Sequence, residues 1–245
     1  MSALVERKDE DGLTWLFLNR PEKLNALTVG MFQELRAHIV DIKRDESVRC
    51  VILKGAGKCF SAGHDLGDIA EGEDVPSPGW HSETLRMMEK LPKPVIAAVH
   101  GHCYTGALEV ALAADFILAA ESAKFADTHA KWALTPIWGM SQRLPRRVGI
   151  ATAKRLMFTA ETVRADVALS MGLCEAVYSD DTFEEDLRGF AKRILANSPF
   201  SHAANKSLLE ATDNDALDAG LQWEIMDNEG VGPAMQARIA AFMKK

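Results

Sequence analysis

The sequence predicts an α/β fold, because short apolar runs of strand length alternate with amphipathic helical segments up to residue 140. From residue 141 onward the apolar residues recur at helical spacing, so the second part of the chain is expected to be all helical. The 245 residues suffice for one large domain, or for one domain with an appendage. A sheet-containing core followed by a helical layer is the expected architecture.

The N-terminal part predicts a hairpin, a helix and a buried strand. Strand-like runs at residues 4–8 and 13–18 flank an acidic turn that ends in Gly12. Thr28 has the side chain of an N-cap for a helix. The apolar residues of that helix recur at helical spacing and are Met31, Phe32, Leu35, Ile39 and Ile42. The apolar run at 49–53 predicts a strand that is buried on both faces.

The middle of the chain predicts two strand–loop–helix junctions. The first is the Gly-rich segment 54–66, after which a helix begins near Asp65. Residues 71–80 are rich in Gly, Pro and acidic side chains and predict a surface loop. The remaining predictions are a helix from residue 82 to 91, strands at 94–99, 115–119 and 124–126, and helices at 107–114, 141–148, 151–159, 162–171, 183–197, 201–212, 216–229 and 233–245.

The second junction, His-Gly-His-Cys-Tyr-Thr-Gly-Ala-Leu-Glu at 100–109, is the stretch with a chemical interpretation. Thr105 is an N-cap candidate, and Gly106 lets a ligand atom reach the backbone. The first N–H groups of a helix lack intrahelical partners and stabilise an oxygen that gains negative charge. Glu109 lies one turn on, so an amide and a carboxylate base would face one point. Taken alone, this stretch is more typical of an ordinary strand–loop–helix junction in which the side chain of Glu109 is solvated.

The net charge and the cysteines disfavour several classes of function. The net charge of −7 disfavours nucleic acid and membrane surfaces as partners. The four cysteines form no CxxC pair and have no zinc-like spacing, so no metal site is expected and a reducing compartment is favoured. Cys103 is either a nucleophile or, as the absence of a placed basic partner favours, a buried structural thiol. Without a signal-peptide pattern or a long apolar run, a cytoplasmic location is expected.

Four stretches in order, at 18–27, 59–66, 94–109 and 125–145, resemble the crotonase superfamily (enoyl-CoA hydratase/isomerase). A fifth, weaker match lies at 165–177. The resemblance implies a spiral of ββα units that holds an acyl-CoA site over residues 1–190. It also implies a C-terminal helical oligomerisation region at 191–245, and a homotrimer or a dimer of trimers.

The resemblance also implies roles for particular residues. The N–H groups of His64 and Gly106 would hold the thioester oxygen as it becomes an enolate. Relatives that hydrate enoyl-CoA hold water with two glutamates; the first matches Glu109 and the second falls on His129. His129 either carries a proton together with Glu109 or only lines the pocket. The side chain of Asp127 is expected to lie well away from His129, and that of His64 to turn away from the pocket.

The remaining site residues are also implied by the resemblance. Candidates for contact with CoA lie in two loops and are Lys23, Leu24, Ala26, Ala62, Asp65 and Leu66. Candidates for the acyl pocket are Trp132, Trp138 and Met140, although tryptophans near a site are as often core. Lys23 would contact a phosphate of CoA, although a lone Lys in a loop is usually just solvated. Phe242 with Lys244 or Lys245 matches a C-terminal element that in relatives can reach CoA, but a plain amphipathic terminus explains it equally well.

These implications together predict an enoyl-CoA hydratase that needs no cofactor, since the substrate carries coenzyme A. An enoyl-CoA isomerase, another reaction of the same fold (hydrolysis or carbon–carbon cleavage) and a non-catalytic acyl-CoA-binding protein are the alternatives.

Overall fold

The computed structural model describes residues 3–214, 233–235 and 237. Its strands are β1 (Val5–Glu10), β2 (Leu13–Leu18), β3 (Cys50–Gly55), β4 (Val95–Val99), β5 (His102–Tyr104), β6 (Phe116–Ala120), β7 (Lys124–Ala126), β8 (Val163–Arg164) and β9 (Ala176–Tyr178). Its helices are α1 (Val29–Arg44), α2 (Leu66–Glu71), α3 (Trp80–Glu89), α4 (Gly106–Leu112), α5 (Met140–Val148), α6 (Ile150–Thr159), α7 (Ala165–Ser170), α8 (Phe183–Leu195) and α9 (Pro199–Asn214). Short 3₁₀ helices span Pro21–Lys23 and His129–Trp132.

The strands form two sheets. The larger sheet has the order β1-β2-β3-β4-β6-β9, and the smaller has the order β5-β7-β8. In the larger sheet only β1 and β2 pair antiparallel, as the predicted hairpin requires. Asp11 and Gly12, both at positive φ, form the turn between them. The mixed α/β architecture that the sequence predicts is therefore confirmed.

The hydrophobic core lies on both faces of the larger sheet, because successive side chains of a strand point to opposite faces. On β3, Val51 and Leu53 join the core that includes α1, whereas Cys50 and Ile52 join the core beneath α8. The prediction that this strand is buried on both faces is confirmed. Helix α1 begins as predicted, since Oγ1 of Thr28 accepts a hydrogen bond from the N–H of Met31 at 3.2 Å.

The expectation that the chain is all helical after residue 141 is wrong. Strand β8 pairs antiparallel with β7, and β9 extends the larger sheet parallel to β6. Strand β5, which pairs with β7, was also not predicted. Strands β5, β8 and β9 have two or three residues each, and no pattern in their residues separates them from loop or helix, so their pairing with neighbouring strands defines them.

The C-terminal predictions are only partly described. Helix α9 confirms the predicted helix at 201–212. The predicted helix at 216–229 and most of that at 233–245, with Phe242, Lys244 and Lys245, lie outside the described residues. The division into 1–190 and 191–245 stays a prediction. None of the described helices has the length and apolar character needed to cross a membrane.

Candidate active site

Two backbone N–H groups, those of His64 and Gly106, lie beside each other. A Cβ placed on Gly106 would be 3.3 Å from the nitrogen of His64. Leu27 pairs with residues 63 and 65, so the N–H of the intervening His64 points away from that bridge. Gly106 is the first residue of α4 and has no intrahelical acceptor. Within the described residues neither N–H donates a hydrogen bond, so both are available to a ligand oxygen.

Thr105 does not cap α4, which corrects the sequence expectation. Its Oγ1 lies 2.5 Å from Oγ1 of Thr128 and accepts the N–H of Thr128 at 3.0 Å. Its own N–H donates to the carbonyl of Ala126 at 2.8 Å. Thr105 has φ 52°, an unfavourable conformation for a β-branched residue, and these bonds stabilise it. The helix terminus consequently stays open toward the neighbouring cavity.

Glu109 is 1% exposed and is held by the backbone. Its Oε1 accepts the N–H groups of Trp138 and Met140, each at 2.9 Å. Burial raises the pKa of the Glu109 carboxyl, while those two N–H groups and the nearby His129 oppose the rise. A buried carboxylate with a raised pKa is a stronger proton acceptor than a solvated one. The interpretation of Glu109 as a solvated residue is therefore wrong.

His129 faces Glu109 from across the cavity. Its Nε2 lies 3.8 Å from Oε2 of Glu109, and its Nδ1 lies 2.6 Å from Oδ1 of Asp127. The expectation that Asp127 and His129 are well separated is wrong, because the chain is not extended there. Thr128 has φ −103° and ψ 9°, and a 3₁₀ helix begins at His129, so the chain turns and brings the two side chains together.

Glu109 and His129 line a cavity of about 440 Å³. Trp138 lies at its wall, with its ring so close to Gly106 that a Cβ there would be 2.5 Å from Cζ3. Trp132 also lines the cavity, whereas Met140 is fully buried and acts through its backbone N–H, which differs from the prediction for its side chain. The lining residues are Ala62, His64, Leu66, Ile69, Glu73, Tyr104, Thr105, Gly106, Glu109, Thr128, His129, Lys131, Trp132, Leu134, Thr135, Ile137 and Trp138.

The side chain of His64 also lies in the cavity wall, so the expectation that it turns away is wrong. Its Nε2 lies 2.5 Å from Oε1 of Glu73, and its ring centroid is 4.5 Å from that of Trp138. Sequence reasoning missed Glu73, because nothing in an acidic surface loop distinguishes the carboxylate that folds back toward the site.

Cys103 takes no part in the site. It is fully buried, and burial raises the pKa of its thiol well above the ordinary value. The interpretation as a structural thiol agrees with this environment. Among the described residues, no cluster of His, Cys, Asp and Glu side chains has the arrangement of a metal site.

Comparison with known proteins places this geometry in a family. The model of the enoyl-CoA hydratase/isomerase family matches residues 8–237. The chain belongs to the enoyl-CoA hydratase/isomerase family. Its members that resemble it include hydratases and isomerases, so the chain is an enzyme.

Three members illustrate the similarity. A probable peroxisomal enoyl-CoA hydratase 1 of Arabidopsis thaliana is 35% identical over 217 residues, 87% of this chain and 80% of the relative. The 1,2-epoxyphenylacetyl-CoA isomerase of Escherichia coli is 31% identical over 245 residues, 96% of this chain and 94% of the relative. The crystal structure of an enoyl-CoA hydratase from Bacillus anthracis superposes with a TM-score of 0.93 at 32% identity, covering 98% and 96% of the two chains.

In this enoyl-CoA hydratase/isomerase family member, the two loops expected to contact CoA lie against each other. The N–H of Ala62 donates to the carbonyl of Leu24 at 2.9 Å. Ala62 and Leu66 line the cavity, and Leu24 is exposed beside it. Asp65 instead caps α2 and pairs with Arg20 at 2.9 Å, which holds the loops together. Lys23 is exposed and Ala26 half-buried on the first loop; their contact with CoA stays a prediction.

Proposed function

We propose that the protein is an enoyl-CoA hydratase, which adds water across the 2,3 double bond of a 2-enoyl-CoA. The observation that carries the proposal is the pair of available N–H groups, His64 and Gly106, beside the buried carboxylate of Glu109. Two such donors stabilise the oxyanion that forms when a nucleophile adds β to a thioester carbonyl. The hydratases among the relatives support the same reaction.

In the proposed mechanism the thioester oxygen accepts both N–H groups. Glu109 removes a proton from water as the water oxygen bonds to Cβ, and the double-bond electrons move onto the thioester oxygen. His129, in its protonated form, then donates a proton to Cα as the enolate collapses. The proton held by Glu109 returns to His129, so one water is consumed and both groups are restored. His129→Ala should lower hydration, and full hydration by that variant would favour the alternative in which His129 only lines the pocket.

The CoA portion is proposed to lie along the two loops that carry Lys23, Leu24 and Ala26 and then Ala62, Asp65 and Leu66. Lys23 is placed to attract a phosphate. Trp132 and Trp138 are proposed to contact the acyl group, which the cavity lining supports. The substrate itself supplies coenzyme A, so the proposal requires no separate cofactor.

The experiment that tests this function is incubation with a panel of 2-enoyl- and 3-enoyl-CoA thioesters, with products identified by mass and chromatography. We expect a gain of one water with a 2-enoyl-CoA, and loss of that product in Glu109→Gln. Full hydration by Glu109→Gln would overturn the assignment of the base.

Double-bond isomerisation is the second candidate. Two observations favour it. His129 lies where two-glutamate hydratases would hold a second carboxylate, and one relative is a mitochondrial Delta(3,5)-Delta(2,4)-dienoyl-CoA isomerase of Homo sapiens. Isomerisation would incorporate solvent deuterium at Cα and Cγ without oxygen from labelled water at Cβ, whereas hydration would incorporate that oxygen. Tight acyl-CoA binding without any product would instead favour the non-catalytic alternative.

Assembly and location complete the proposal. We place the protein in the cytoplasm, in keeping with four free, buried cysteines. We propose a homotrimer or a dimer of trimers, supported by exposed apolar side chains on α6, where Ile150 is 64% and Phe158 76% exposed. Light scattering should give three or six chain masses, and a monomer would contradict the assembly.

A further inference from the structure

Asp127, His129 and Glu109 form a continuous line of ionisable groups at the cavity. Asp127 is 1% exposed, His129 8% and Glu109 1%. The line runs from Oδ1 of Asp127 to Nδ1 of His129 over 2.6 Å, and from Nε2 of His129 to Oε2 of Glu109 over 3.8 Å. Only His129 and Glu109 also line the cavity. Asp127 therefore reaches the cavity through the imidazole ring.

The contact with Asp127 determines the orientation and the tautomer of His129. Oδ1 of Asp127 accepts both the backbone N–H of His129, at 3.1 Å, and the ring Nδ1. A carboxylate has no proton to donate, so Nδ1 carries the hydrogen of that bond. Nε2 is then the ring nitrogen that gains and loses a proton, and it is the one directed at Glu109.

We propose that Asp127 is a positioning residue that makes His129, through Nε2, the proton donor to Cα. The inference rests on the proposed function and deepens it, because it assigns the second proton carrier and the group that holds it. Asp127 holds the ring with Nε2 toward Glu109, and His129 donates its proton to Cα from that nitrogen as the enolate collapses. The ring then recovers its proton from Glu109, across the gap at Nε2, and no proton is lost from the site.

The charged groups that face His129 are few. Asp127 contacts one edge of its ring and Glu109 of α4 faces the other. Other titratable side chains of the cavity wall are Lys131, His64, Glu73 and Tyr104. The substitution Asp127→Asn removes one of the two adjacent negative charges and leaves these groups in place.

The first test is a double-mutant cycle with Asp127→Asn and His129→Gln. We expect Asp127→Asn to lower kcat by about 10²–10⁴-fold with little change in KM, the range for loss of a positioned acid–base group. In the His129→Gln background, Asp127→Asn should cost less than about twofold, because Asp127 acts only through the ring. Independent, multiplicative losses would overturn the proposal.

The second test is the pH profile of the residual activity. In the proposed mechanism His129 gives its proton to Cα, so removal of the carboxylate that holds the ring should change the shape of the pH profile of kcat in Asp127→Asn. A pH profile of unchanged shape with a uniform loss of activity would indicate a structural role only.

A third measurement does not depend on turnover. ¹⁵N NMR of the imidazole should find the proton on Nδ1 in the wild type at high pH, and a shifted tautomer population in Asp127→Asn. Glu34→Gln is the control away from the site: Glu34, like Asp127, is a carboxylate that accepts backbone N–H groups, here those of Leu4 and Val5, although it is only half-buried. Its tautomer signal and activity should equal those of the wild type.

The outcomes separate the two proposals. If no thioester is hydrated by the wild type, the proposed function fails, while the tautomer measurement still decides whether Asp127 positions the ring. If the wild type hydrates its substrate and Asp127→Asn retains the kcat, the pH profile and the tautomer of the wild type, only the positioning role is overturned. Thermal unfolding of Asp127→Asn and Glu34→Gln identifies a loss that comes from misfolding.

Discussion

At the scale of single residues, the site separates backbone chemistry from side-chain chemistry. The oxyanion donors are main-chain N–H groups of His64 and Gly106, so the identity of the side chain matters only where space is short. Space is short at Gly106, where the ring of Trp138 covers the position that a Cβ would take. At His64 the side chain projects into the cavity wall instead.

This difference predicts unequal effects of two alanine substitutions. Gly106→Ala should lower kcat by about 10²–10³-fold, since a Cβ 2.5 Å from the Trp138 ring forces the N–H out of position. His64→Ala should lower kcat by less than about tenfold, because its N–H is retained. Steady-state kinetics with the hydrated thioester checks both values. A greater loss in His64→Ala than in Gly106→Ala would contradict the backbone assignment.

Glu109 should make stability depend on pH. Burial raises the pKa of its carboxyl in the folded protein above the ordinary value of 4.5, so the folded state binds the proton more strongly than the unfolded state. Stability is therefore lost as pH rises from the ordinary pKa through the raised one. The glutamine side chain in Glu109→Gln cannot ionise, and its amide oxygen can still accept the hydrogen bonds from the N–H groups of Trp138 and Met140.

Glu109→Gln should consequently be more stable than the wild type at neutral pH, although its activity falls by about 10²–10⁴-fold. Urea unfolding of both proteins between acid and neutral pH measures the effect. The gain should vanish at a pH below the ordinary carboxyl pKa. A difference in stability that does not vary with pH would exclude the ionisation of the Glu109 carboxyl as its cause.

At the scale of elements, the segment between β7 and α5 positions most of the chemistry. It begins at Asp127, carries His129 and ends with Trp138, whose N–H holds Glu109. Helix α5 anchors its far end: Nη1 of Arg143 donates to the carbonyl of Trp138 at 2.8 Å, and the guanidinium pairs with Glu89 through two hydrogen bonds of 2.9 and 2.8 Å. The orientation of Glu109 therefore depends on a side chain that does not touch the cavity.

Arg143→Ala should loosen this segment. We expect kcat to fall by about tenfold, because the donors to Glu109 lose their support, with a stability loss of about 1–2 kcal/mol. Arg146→Ala on the same helix is the control, since Arg146 bonds only Gln142 in the described part of the chain. Kinetics and thermal unfolding compare the two. Equal kinetic effects would mean that any change in α5, and not the anchor, disturbs Glu109.

The elements that the sequence predicted well are those whose signal is local. The helical spacing from Met31 to Ile42 and the cap at Thr28 identify α1 without tertiary information. The juxtaposition of Gly106 and Glu109 also follows from one helical turn. The pairing of Asp127 with His129 was missed, because it depends on one turn at Thr128 that leaves no pattern in the residues.

Long-range contacts explain the other features of the structure that the sequence did not predict. The hydrogen bond between His64 and Glu73 requires an acidic loop to fold back onto the cavity wall, and no residue spacing in the sequence predicts that path. Strands β5, β8 and β9 exist because of the partners they pair with. The prediction that His64 faces away was wrong for the same reason, since its side-chain direction is determined by Trp138 and Glu73.

At the scale of the whole molecule, the site is assembled from junctions that lie far apart in the chain. His64 follows β3, Glu109 follows β5 and His129 follows β7. Isolated bridges between Leu27 and His64, and between Ser61 and Cys103, join these junctions across the two sheets. Because the site depends on many non-local contacts, changes that loosen the core should reach it even when they lie on the opposite side.

The contact between α9 and the sheet is one such long-range contact, and its effect on stability can be measured. Nζ of Lys206 donates to Oδ2 of Asp115 at 2.8 Å and to the carbonyl of Lys93 at 3.2 Å. Burial raises the pKa of Asp115, and the charge of Lys206 opposes that rise. Without Lys206 the carboxylate would be left without its cation, which costs folding free energy whenever the carboxyl is ionised.

Lys206→Met should therefore destabilise the protein by about 2 kcal/mol at neutral pH. This loss is smaller than for a fully buried ion pair, because the side chains of Lys206 and Asp115 are 17% and 25% exposed. The loss should shrink as pH falls and Asp115 takes up a proton, since the neutral carboxyl needs no cation. Lys90→Met is the matched control: its pair with Glu210 also joins α9, but both side chains are 45% exposed, so it should cost about 1 kcal/mol or less. Urea unfolding across pH measures both variants, and equal losses without pH dependence would mean that Asp115 does not depend on Lys206 for its charge.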